Sequence, residues 1–391
     1  MWIPETQQAI HALLGCLARD QCGQNQTKVV IVTSSDLIAP MEGGREGQDA
    51  VWSLSTRQAL DNMGYTVLYS PNMERNIQLY HIFHDLVKVV IADTKQTRLC
   101  WWEHDSCHRS SDNPSGIPVW KILTLFNGPD VNSPLGEKWT LSPEKYTPSD
   151  REGNTYLGYS IEENCRKYPF VPHGKRKSQA FIHASSLHHF LPNERAWPPQ
   201  FFDLASSATG LSFVAGAKAH SDTSPSDLAA SIKNLGGDAD LHDALANSAV
   251  LVGMGDPAMP TPYDALCLGV PFINPILNWD PADATDRRGW NTEHNALNEL
   301  SPPYVYHVLK NDRDGFLQAV EDAKANPIPS LVLDRMKIES VQQRLGLILE
   351  HDWRAEAAVV LEQRKKADQG PVSFLDAFIY SWTNAFQMFI L

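Results

Sequence analysis

Short apolar runs rich in β-branched residues alternate along the chain with segments of helical periodicity. Lys28–Thr33 is such a run and fits a buried parallel strand, and a glycine-rich loop follows it at Glu42–Gly47. A helical pattern covers Asp49–Met63, with Gly64 at the expected C-cap. Three further predicted elements continue the alternation: a strand at 66–69, a helix near 73–86 and a strand at 88–93. This order is typical of half of a nucleotide-binding α/β fold.

A second series of strands and helices begins near Asn154. Its predicted strands are 155–160, 180–183, 211–215, 250–253, 271–274 and 305–308. Its predicted helices are Ser226–Leu235, Leu241–Asn247, 263–268 and 314–325, and a helical tail starts at Leu331. Residues 98–150 are predicted to be irregular, apart from a strand at 122–126. Because 391 residues suit two α/β domains, we predict domains at 1–150 and 151–330, and a tail at 331–391 that packs back on them.

The charge balance excludes one large class of function. The formal net charge is −13 and the pI is about 5.5, so no face-wide basic excess is present to bind a nucleic acid. The chain does not open with a basic stretch followed by a long apolar run. The apolar C-terminus from Phe374 onward carries Asp376, Asn384 and Gln387, so we interpret it as an amphipathic packing helix and predict no membrane span.

Four of the six cysteines fall into two close pairs, Cys16/Cys22 and Cys100/Cys107. Neither spacing is that of a zinc site, and the pattern is equally open to short-loop disulfides and to ordinary thiols. Asn25-Gln26-Thr27 is an N-glycosylation sequon beside the first pair, and it favours the disulfides of a secreted protein.

The segment Ala249–Pro275 predicts a strand, a Gly/Pro loop, a short helix and a second strand. The loop at Gly253 and Gly255 and the start of the helix offer backbone N–H groups that suit a diphosphate. Asp264, one turn into the helix, is predicted to accept the ribose hydroxyls of a nucleotide. Four residues at the start of the helix are further candidates for this binding site: Pro260, Thr261, Pro262 and Tyr263. The alternative is a tight loop with a surface aspartate, and two glycines are too few to indicate an NAD site.

Two other segments carry candidate chemistry. The densest cationic cluster is 172–177, in which Lys175 is predicted to neutralise a leaving diphosphate, although such clusters are usually solvated turns. The loop Glu42–Asp49 holds Glu46 and Asp49, either of which is suited to act as a general base. The alternative for these acids is a helix N-terminus, where the dipole favours negative charge.

The histidine pairs and one pair of aspartates do not have the spacing of a metal site. His188-His189 and His104/His108 have no convincingly spaced carboxylate partner, and Asp238-Ala239-Asp240 is better explained as a helix cap. We therefore predict no metal and no cofactor. Trp101, Trp102, Trp279 and Trp290 lie in predicted loops, where they are equally suited to stacking on sugar rings and to packing.

Several of these motifs, in this order, resemble glycosyltransferase family 18, the α-1,6-mannosylglycoprotein 6-β-N-acetylglucosaminyltransferases. The similarity extends patchily from about Lys28 to Asn326, and its clearest part is Leu251–Pro275. The other similar segments are Gly136–Trp139, Asn154–Tyr159, His173–Lys175, Ser301–Tyr304 and Asp314–Ala323.

The resemblance implies an α/β GT-B fold, with two Rossmann-like domains facing across a cleft and C-terminal helices packing back. It implies an N-terminal acceptor and catalytic-base domain and a C-terminal nucleotide-sugar domain. The implied reaction is inverting, metal-independent transfer of N-acetylglucosamine from UDP-GlcNAc to a mannose of an N-glycan. The implied location is the Golgi lumen or secretory pathway, through an anchor that this chain lacks. Lys175 matches the family lysine at the donor phosphates, and Asp264 matches the family glutamate of the short helix.

The chain departs from the family at the catalytic base. With Gly43-Gly44 and Trp52 aligned, Gln48 stands where the family has its catalytic glutamate, and glutamine cannot act as a base. Glu46 and Asp49 are the nearest substitutes, and we prefer Glu46 because Asp49 is suited to a helix cap. Two alternatives follow: a non-catalytic homologue that binds nucleotide sugars or glycans, and a transferase with another donor sugar.

Overall fold

The structure is a computed structural model, and it describes residues 2–38, 48–110, 112–128, 130–145, 153–218, 228, 230–236, 240–256 and 260–366. The chain divides into two compact units. Unit 1 combines the first 160 residues with the chain from Ile338 onward, and unit 2 is Ile161–Lys337. The boundaries thus lie after Ser160 and Lys337, where the sequence predicts them after residues 150 and 330.

Within the described residues the strands are mostly short and buried. They are β1 Val29–Thr33, β2 Thr66–Tyr69, β3 Val87–Asp93, β4 Ile122–Leu125, β5 Thr140–Ser142, β6 Thr155–Tyr156, β7 Gln179–His183, β8 Ser212–Ala215, β9 Ile232–Asn234, β10 Leu251–Gly253, β11 Phe272–Asn278, β12 Asn291–Thr292 and β13 Val305–Leu309.

The α-helices of the described residues range from one turn to five. They are α1 Trp2–Arg19, α2 Ser35–Ile38, α3 Gln48–Met63, α4 Met73–Phe83, α5 Thr94–Arg98, α6 Glu162–Lys167, α7 Pro199–Thr209, α8 Leu241–Ala246, α9 Thr261–Cys267, α10 Arg313–Ala325, α11 Ile338–Glu350 and α12 Trp353–Lys366. None of them is long and apolar enough to cross a membrane.

Unit 1 is built on a parallel sheet of order β2-β1-β3-β4-β5-β6. All five residues of β1 are buried, as its β-branched run predicts. The core places Val29 and Ile31 of β1 with Leu13 of α1 and Val90 of β3. The strand order reverses between β1 and β3, so the crevice at the switch point lies at the carboxyl ends of these two strands.

Unit 2 is built on a mainly parallel sheet in which the strands follow the order β9-β8-β7-β10-β11-β13, with β12 antiparallel to β11. When only the six parallel strands of the unit are numbered, this is the 3-2-1-4-5-6 order of the dinucleotide-binding Rossmann fold. Aromatic side chains fill its core, among them Trp197, Phe202, Phe213 and Phe316. The predicted fold class, α/β with two Rossmann-like domains, is therefore confirmed.

Three local predictions need correction. The predicted helix Ser226–Leu235 is wrong in its second half, because Ile232–Asn234 pairs in parallel with β8 as strand β9. A strand, β5, lies within the segment predicted to be irregular, because Thr140 and Leu141 pair with β4. The N-cap of α8 is Asp240, whose side chain accepts the Asp243 N–H, whereas the predicted cap Asp238 lies outside the described residues.

All six cysteines form disulfides. Cys16–Cys22 and Cys100–Cys107 close short loops in unit 1. Of the two alternatives that the spacing leaves open, the structure therefore has short-loop disulfides and not free thiols. Cys165–Cys267 is a third bridge, which no local spacing indicates, and it joins α6 to α9 across 102 residues.

Candidate functional site

Strands β7 and β10 of unit 2 mark the point where the strand order reverses. They are parallel neighbours, and Gly253 at the end of β10 pairs with His183 at the end of β7. Ligands of open α/β sheets bind in the crevice outside the carboxyl ends of the strands at such a point. The loops that follow His183 and Gly253 are therefore the first place to look for a ligand-binding site.

A buried carboxylate, Glu293, connects these two strand ends. Its Oε1 lies 2.7 Å from Nδ1 of His183, and its Oε2 accepts the backbone N–H of Gly255 at 2.5 Å. The side chains of His183 and Glu293 are 6% and 0% exposed. One carboxylate thus fixes both the end of β7 and the loop after β10.

The two glycines of the loop have conformational and steric roles. A Cβ on Gly253 would lie 2.6 Å from Oε2 of Glu293 and 2.7 Å from Cδ of Pro275, so only glycine allows Glu293 to approach. Gly255 has φ +96°, which side chains disfavour. The carbonyl of Gly253 accepts a hydrogen bond from Nε1 of Trp197 at 2.7 Å. Both glycines, which the sequence predicts as diphosphate contacts, allow the loop to adopt the conformation that its hydrogen bonds with Glu293 and Trp197 stabilise.

A second buried carboxylate, Asp256, follows in the same loop. Its Oδ2 accepts the backbone N–H of Ser185 at 2.7 Å and lies 3.3 Å from Nδ1 of His189. Burial raises the pKa of Asp256, but His183, Ser185 and His189 lower it by more, so the carboxyl stays ionised. Asp256 thus joins the loop after β7 to the loop after β10.

The contact between His183 and Glu293 and their burial shift the pKa values of both groups. Burial lowers the pKa of His183, but the hydrogen bond and charge of Glu293 raise it by more. Burial also raises the pKa of Glu293. Both shifts favour the retention of a proton by the pair.

Asp264 lies in the first turn of α9, and it is buried. Its side chain is 4% exposed, with Asn164 Nδ2 at 3.2 and 3.4 Å from its two oxygens and His242 Nε2 at 3.5 Å. His242 stacks on Tyr168 with ring centroids 4.3 Å apart. These contacts exclude the alternative of a surface aspartate, and the role of Asp264 at a ribose stays a prediction.

The remaining residues predicted at the helix start lie around the first turn of α9. Pro260 is its N-cap, Thr261 and Pro262 open the helix, and Tyr263 is fully buried beneath it. Because α9 has only seven residues, its dipole is smaller than that of a long helix. The diphosphate contact predicted for this turn stays a prediction.

The structure does not bring Lys175 to this loop. Lys175 ends a 3-10 turn that precedes β7, and it is exposed. The next residue, Arg176, donates hydrogen bonds to the carbonyls of Ser248, Leu268 and Gly269, which precede β10 or follow α9. The backbone of Lys175 therefore lies by the C-terminal end of α9, whereas the predicted diphosphate contact lies at its N-terminal end.

Lys218 is a cation that sequence reasoning missed. Its backbone N–H donates to the carbonyl of Ser185, and its carbonyl accepts the N–H of Leu187. Its side chain is exposed. Lys218 thus lies beside the loop that Asp256 holds.

The two predicted base residues are not part of this description. Glu46 lies outside the described residues, and so does the side chain of Asp49, the second residue of α3. Among the residues that the structure describes, no group of three or more His, Cys, Asp or Glu is arranged to hold a metal ion. The prediction of no metal and no cofactor stays a prediction.

Four polar residues of this site were not singled out from the sequence: His183, Ser185, Asp256 and Glu293. The rule that ligands bind at strand ends would have found His183 and Asp256, because His183 ends one predicted strand and Asp256 follows another. Glu293 carries no such signal, since it lies 110 residues from His183 along the chain.

Comparisons with known proteins give matches to solved structures alone. Compared with protein-family models and with curated protein sequences, the chain gives no significant match. It is similar to the glycotransferase of kitacinnamycin, with a TM-score of 0.41 and 13% identity over 86% of this chain and 98% of the other. It is also similar to an O-GlcNAc transferase variant from Thermobaculum terrenum, with a TM-score of 0.40 and 11% identity over 87% of this chain and 67% of the other. The calicheamicin glycosyltransferase CalG4 gives a TM-score of 0.34 and 12% identity over 90% of this chain and all of the other.

Proposed function

We propose that the chain is a GT-B glycosyltransferase that binds a nucleotide-sugar donor at the carboxyl ends of β7 and β10. The observation that carries the proposal is the buried network of Glu293, His183 and Asp256 at the switch point of a Rossmann sheet. It shapes two loops beside Lys218, whose exposed ammonium group suits the charge of a diphosphate. The second support is the resemblance of Leu251–Pro275 to the donor segment of glycosyltransferase family 18.

In the finer form of the proposal, the donor is UDP-GlcNAc and the acceptor is a mannose of an N-glycan. A carboxylate, Glu46 or Asp49, takes the proton of the acceptor hydroxyl, and the oxygen attacks the anomeric carbon. The bond from that carbon to the diphosphate breaks, and its electron pair leaves with UDP. This in-line attack inverts the anomeric centre and needs no metal if protein cations and N–H groups stabilise the leaving diphosphate.

The three disulfides support a location in the secretory pathway, because disulfides persist in oxidising compartments. The Golgi lumen is the proposed site of action, in keeping with the family that the sequence resembles.

Titration calorimetry with UDP and UDP-GlcNAc tests the donor site. We expect Asp256→Asn to weaken binding at least tenfold (about 1.4 kcal/mol), because it removes the charge that orders both loops. Asp93→Asn is the matched control, since Asp93 holds a serine loop in the same way in unit 1. If UDP does not bind the native chain, or if both variants weaken binding equally, the proposed site is wrong.

A second pair of variants identifies the cation at the diphosphate. Lys218→Ala removes an exposed charge that follows the carboxyl end of β8, and Lys175→Ala removes one that precedes the amino end of β7 in the same sheet. The placement of Lys218 beside Ser185 predicts weaker UDP binding for Lys218→Ala and unchanged binding for Lys175→Ala. The opposite result would restore the assignment of Lys175 that the sequence resemblance implies.

Gln48 favours the second candidate function, a homologue that binds nucleotide sugars without catalysis. Transfer to an N-glycan that is lost in Glu46→Gln or Asp49→Asn would establish the enzyme and its base. UDP binding without transfer or donor hydrolysis would establish the non-catalytic alternative. Thermal stabilisation by a panel of UDP- and GDP-sugars separates the proposed donor from other donors.

A further inference from the structure

Strand β11 projects beyond its neighbour at the ligand-binding edge of unit 2. The last paired residues of the two strands are Val252 and Ile273. From there β10 ends after one more residue, at Gly253, whereas β11 continues for five, to Asn278. At about 3.3 Å per residue, the four-residue difference places the end of β11 roughly 13 Å beyond the end of β10.

The turn segment Trp279–Trp290 at this tip is held rigidly by its own side chains. Asp280 accepts the N–H of Ala282 at 2.8 Å, and Asp286 accepts the N–H of Arg288 at 3.1 Å. Each aspartate caps a short 3-10 turn, so the segment is preorganised although most of its residues are exposed.

Two indole rings bracket the segment. Their centroids are 6.3 Å apart with planes inclined by 48°, and both side chains are only half-buried. Trp290 is anchored by a hydrogen bond from its Nε1 to the carbonyl of Ala284, by the Arg287 guanidinium 5.6 Å above its ring, and by His307. Trp279 lies between the exposed Asn278 and Asp280 and is itself half-buried.

The chemistry of this tip suits a neutral sugar. A pyranose ring has one face of C–H groups that stacks on an indole, and a rim of hydroxyls that donate to carboxylate and amide oxygens. Asp280 and Asp283, two exposed residues of the same turn segment, supply such carboxylate oxygens. The same carboxylates repel phosphate, which disfavours a nucleotide at this position. Two half-buried rings are also too small an apolar area for a stable protein interface.

We propose that Trp279 and Trp290 form a sugar-stacking subsite for a neutral pyranose residue of a glycan. It lies roughly 13 Å along the strand direction from the end of β10, beside which the diphosphate of the donor is proposed to bind. Its assignment to the acceptor glycan rests on the proposed function, whereas the binding of a neutral sugar does not.

Titration of the full chain with a free oligomannose-type N-glycan, without nucleotide, tests the subsite. We expect Trp279→Ala to weaken glycan binding at least tenfold, because truncation removes the stacking surface. Trp279→Phe should keep most of the affinity, since an aromatic face remains. Trp120→Ala, a half-buried tryptophan of unit 1 that stacks on Arg354, is the matched control and should leave glycan binding unchanged.

UDP affinity, measured on the same variants, separates this proposal from the donor site. Weaker glycan binding with unchanged UDP affinity in Trp279→Ala supports the subsite, even if no glycosyl transfer is detected. The subsite is refuted if the native chain binds no oligomannose glycan at millimolar concentration, or if Trp279→Ala binds it as the native chain does.

Discussion

In both sheets, a hydrogen bond from a serine to an aspartate fixes the segment that follows the first strand. In unit 1 the backbone N–H and hydroxyl of Ser35, two residues beyond β1, donate to Oδ2 of Asp93 at 2.9 and 3.1 Å. In unit 2 the N–H of Ser185, two residues beyond β7, donates to Oδ2 of Asp256 at 2.7 Å. Asp93 is the last residue of the neighbouring strand β3, and Asp256 lies three residues after the end of the neighbouring strand β10, each at the point where the strand order reverses.

The two aspartates differ in their other partners. Asp93 accepts the Gln96 N–H at 2.8 Å as the N-cap of α5, so both of its oxygens bind neutral groups of the backbone and one hydroxyl. Asp256 instead lies beside His189 and in the field of His183 and its partner Glu293. The shared hydrogen-bond arrangement belongs to the fold, whereas the buried charges distinguish the loops of unit 2, where we propose the donor site.

The largest expected difference between the units concerns their disulfides. Replacing Cys165 and Cys267 by alanine reopens a loop of about 100 residues, for which loop-closure entropy predicts a loss of about 4.7 kcal/mol. The same change at Cys16 and Cys22 reopens a loop of six, with an expected loss of about 2 kcal/mol. Urea unfolding followed by hydrogen exchange of peptides from β10 and from β1 measures the two effects separately.

The two losses of unfolding free energy distinguish between accounts of disulfide stabilisation. Equal losses would contradict the entropic account and indicate that strain or residual unfolded structure dominates both bridges. A loss of native exchange protection in α9 alone would indicate that the long bridge stabilises the α6–α9 contact rather than the whole of unit 2.

The sequence predicted the parts of the fold that local pattern controls. Val29–Thr33 is identified as a strand because five consecutive apolar or β-branched residues fit a strand buried on both faces. β9 was assigned to a helix because Ser226–Leu235 has local helical periodicity, whereas a three-residue edge strand exists only through its pairing with β8.

The candidate site was predictable to a smaller extent. The loop from Gly253 to Asp264 was found because strand, glycines and short helix are consecutive in the chain. The contacts that shape it join residues far apart: Glu293 with His183, and Asn164 with Asp264. Spacing rules relate residues that are close in the sequence. The third disulfide and the buried charge network join residues about 100 positions apart, so only the folded structure identifies them.

The second prediction concerns the buried pair of unit 2. Glu293→Ala leaves His183 and the N–H of Gly255 without their buried partner, so we expect unit 2 to lose about 3–5 kcal/mol of unfolding free energy. Glu293→Gln keeps one oxygen that accepts the Gly255 N–H, and its NH2 donates to Nδ1 of neutral His183, so a smaller loss of about 1–2 kcal/mol is expected. Hydrogen exchange of the β10 peptide in urea measures both.

Glu350 supplies the matched control in unit 1. It pairs with Lys28 and Lys88 at 2.9 and 3.2 Å, but its side chain is 44% exposed. Glu350→Ala should therefore cost no more than about 1 kcal/mol. The ranking of buried over exposed ion pairs is contradicted if Glu293→Ala costs less than Glu350→Ala.

The smallest expected effect is a difference in pH dependence. Burial raises the pKa of Glu350, but hydrogen bonds from Tyr65, Lys28 and Lys88 lower it by more, to about 2. Because this folded pKa lies below the ordinary value of 4.5, the stabilisation is present above pH 4.5 and is lost as the pH falls towards 2. The exposure of Glu350 keeps this contribution small.

His183 gives the opposite dependence in unit 2. Its pKa is raised above the ordinary 6.5, so its stabilisation is complete below pH 6.5 and is lost as the pH rises through the folded value. Mild alkali should therefore increase the hydrogen exchange of β7 more than that of β1, after correction for intrinsic rates. Acid should increase it in both strands, because the pKa of Asp256 beside β7 is lowered as well. Glu350→Gln should remove the acid effect in β1, and His183→Gln the alkaline effect in β7. Parallel changes in both strands at both extremes would show that net charge, rather than these two groups, controls the pH dependence.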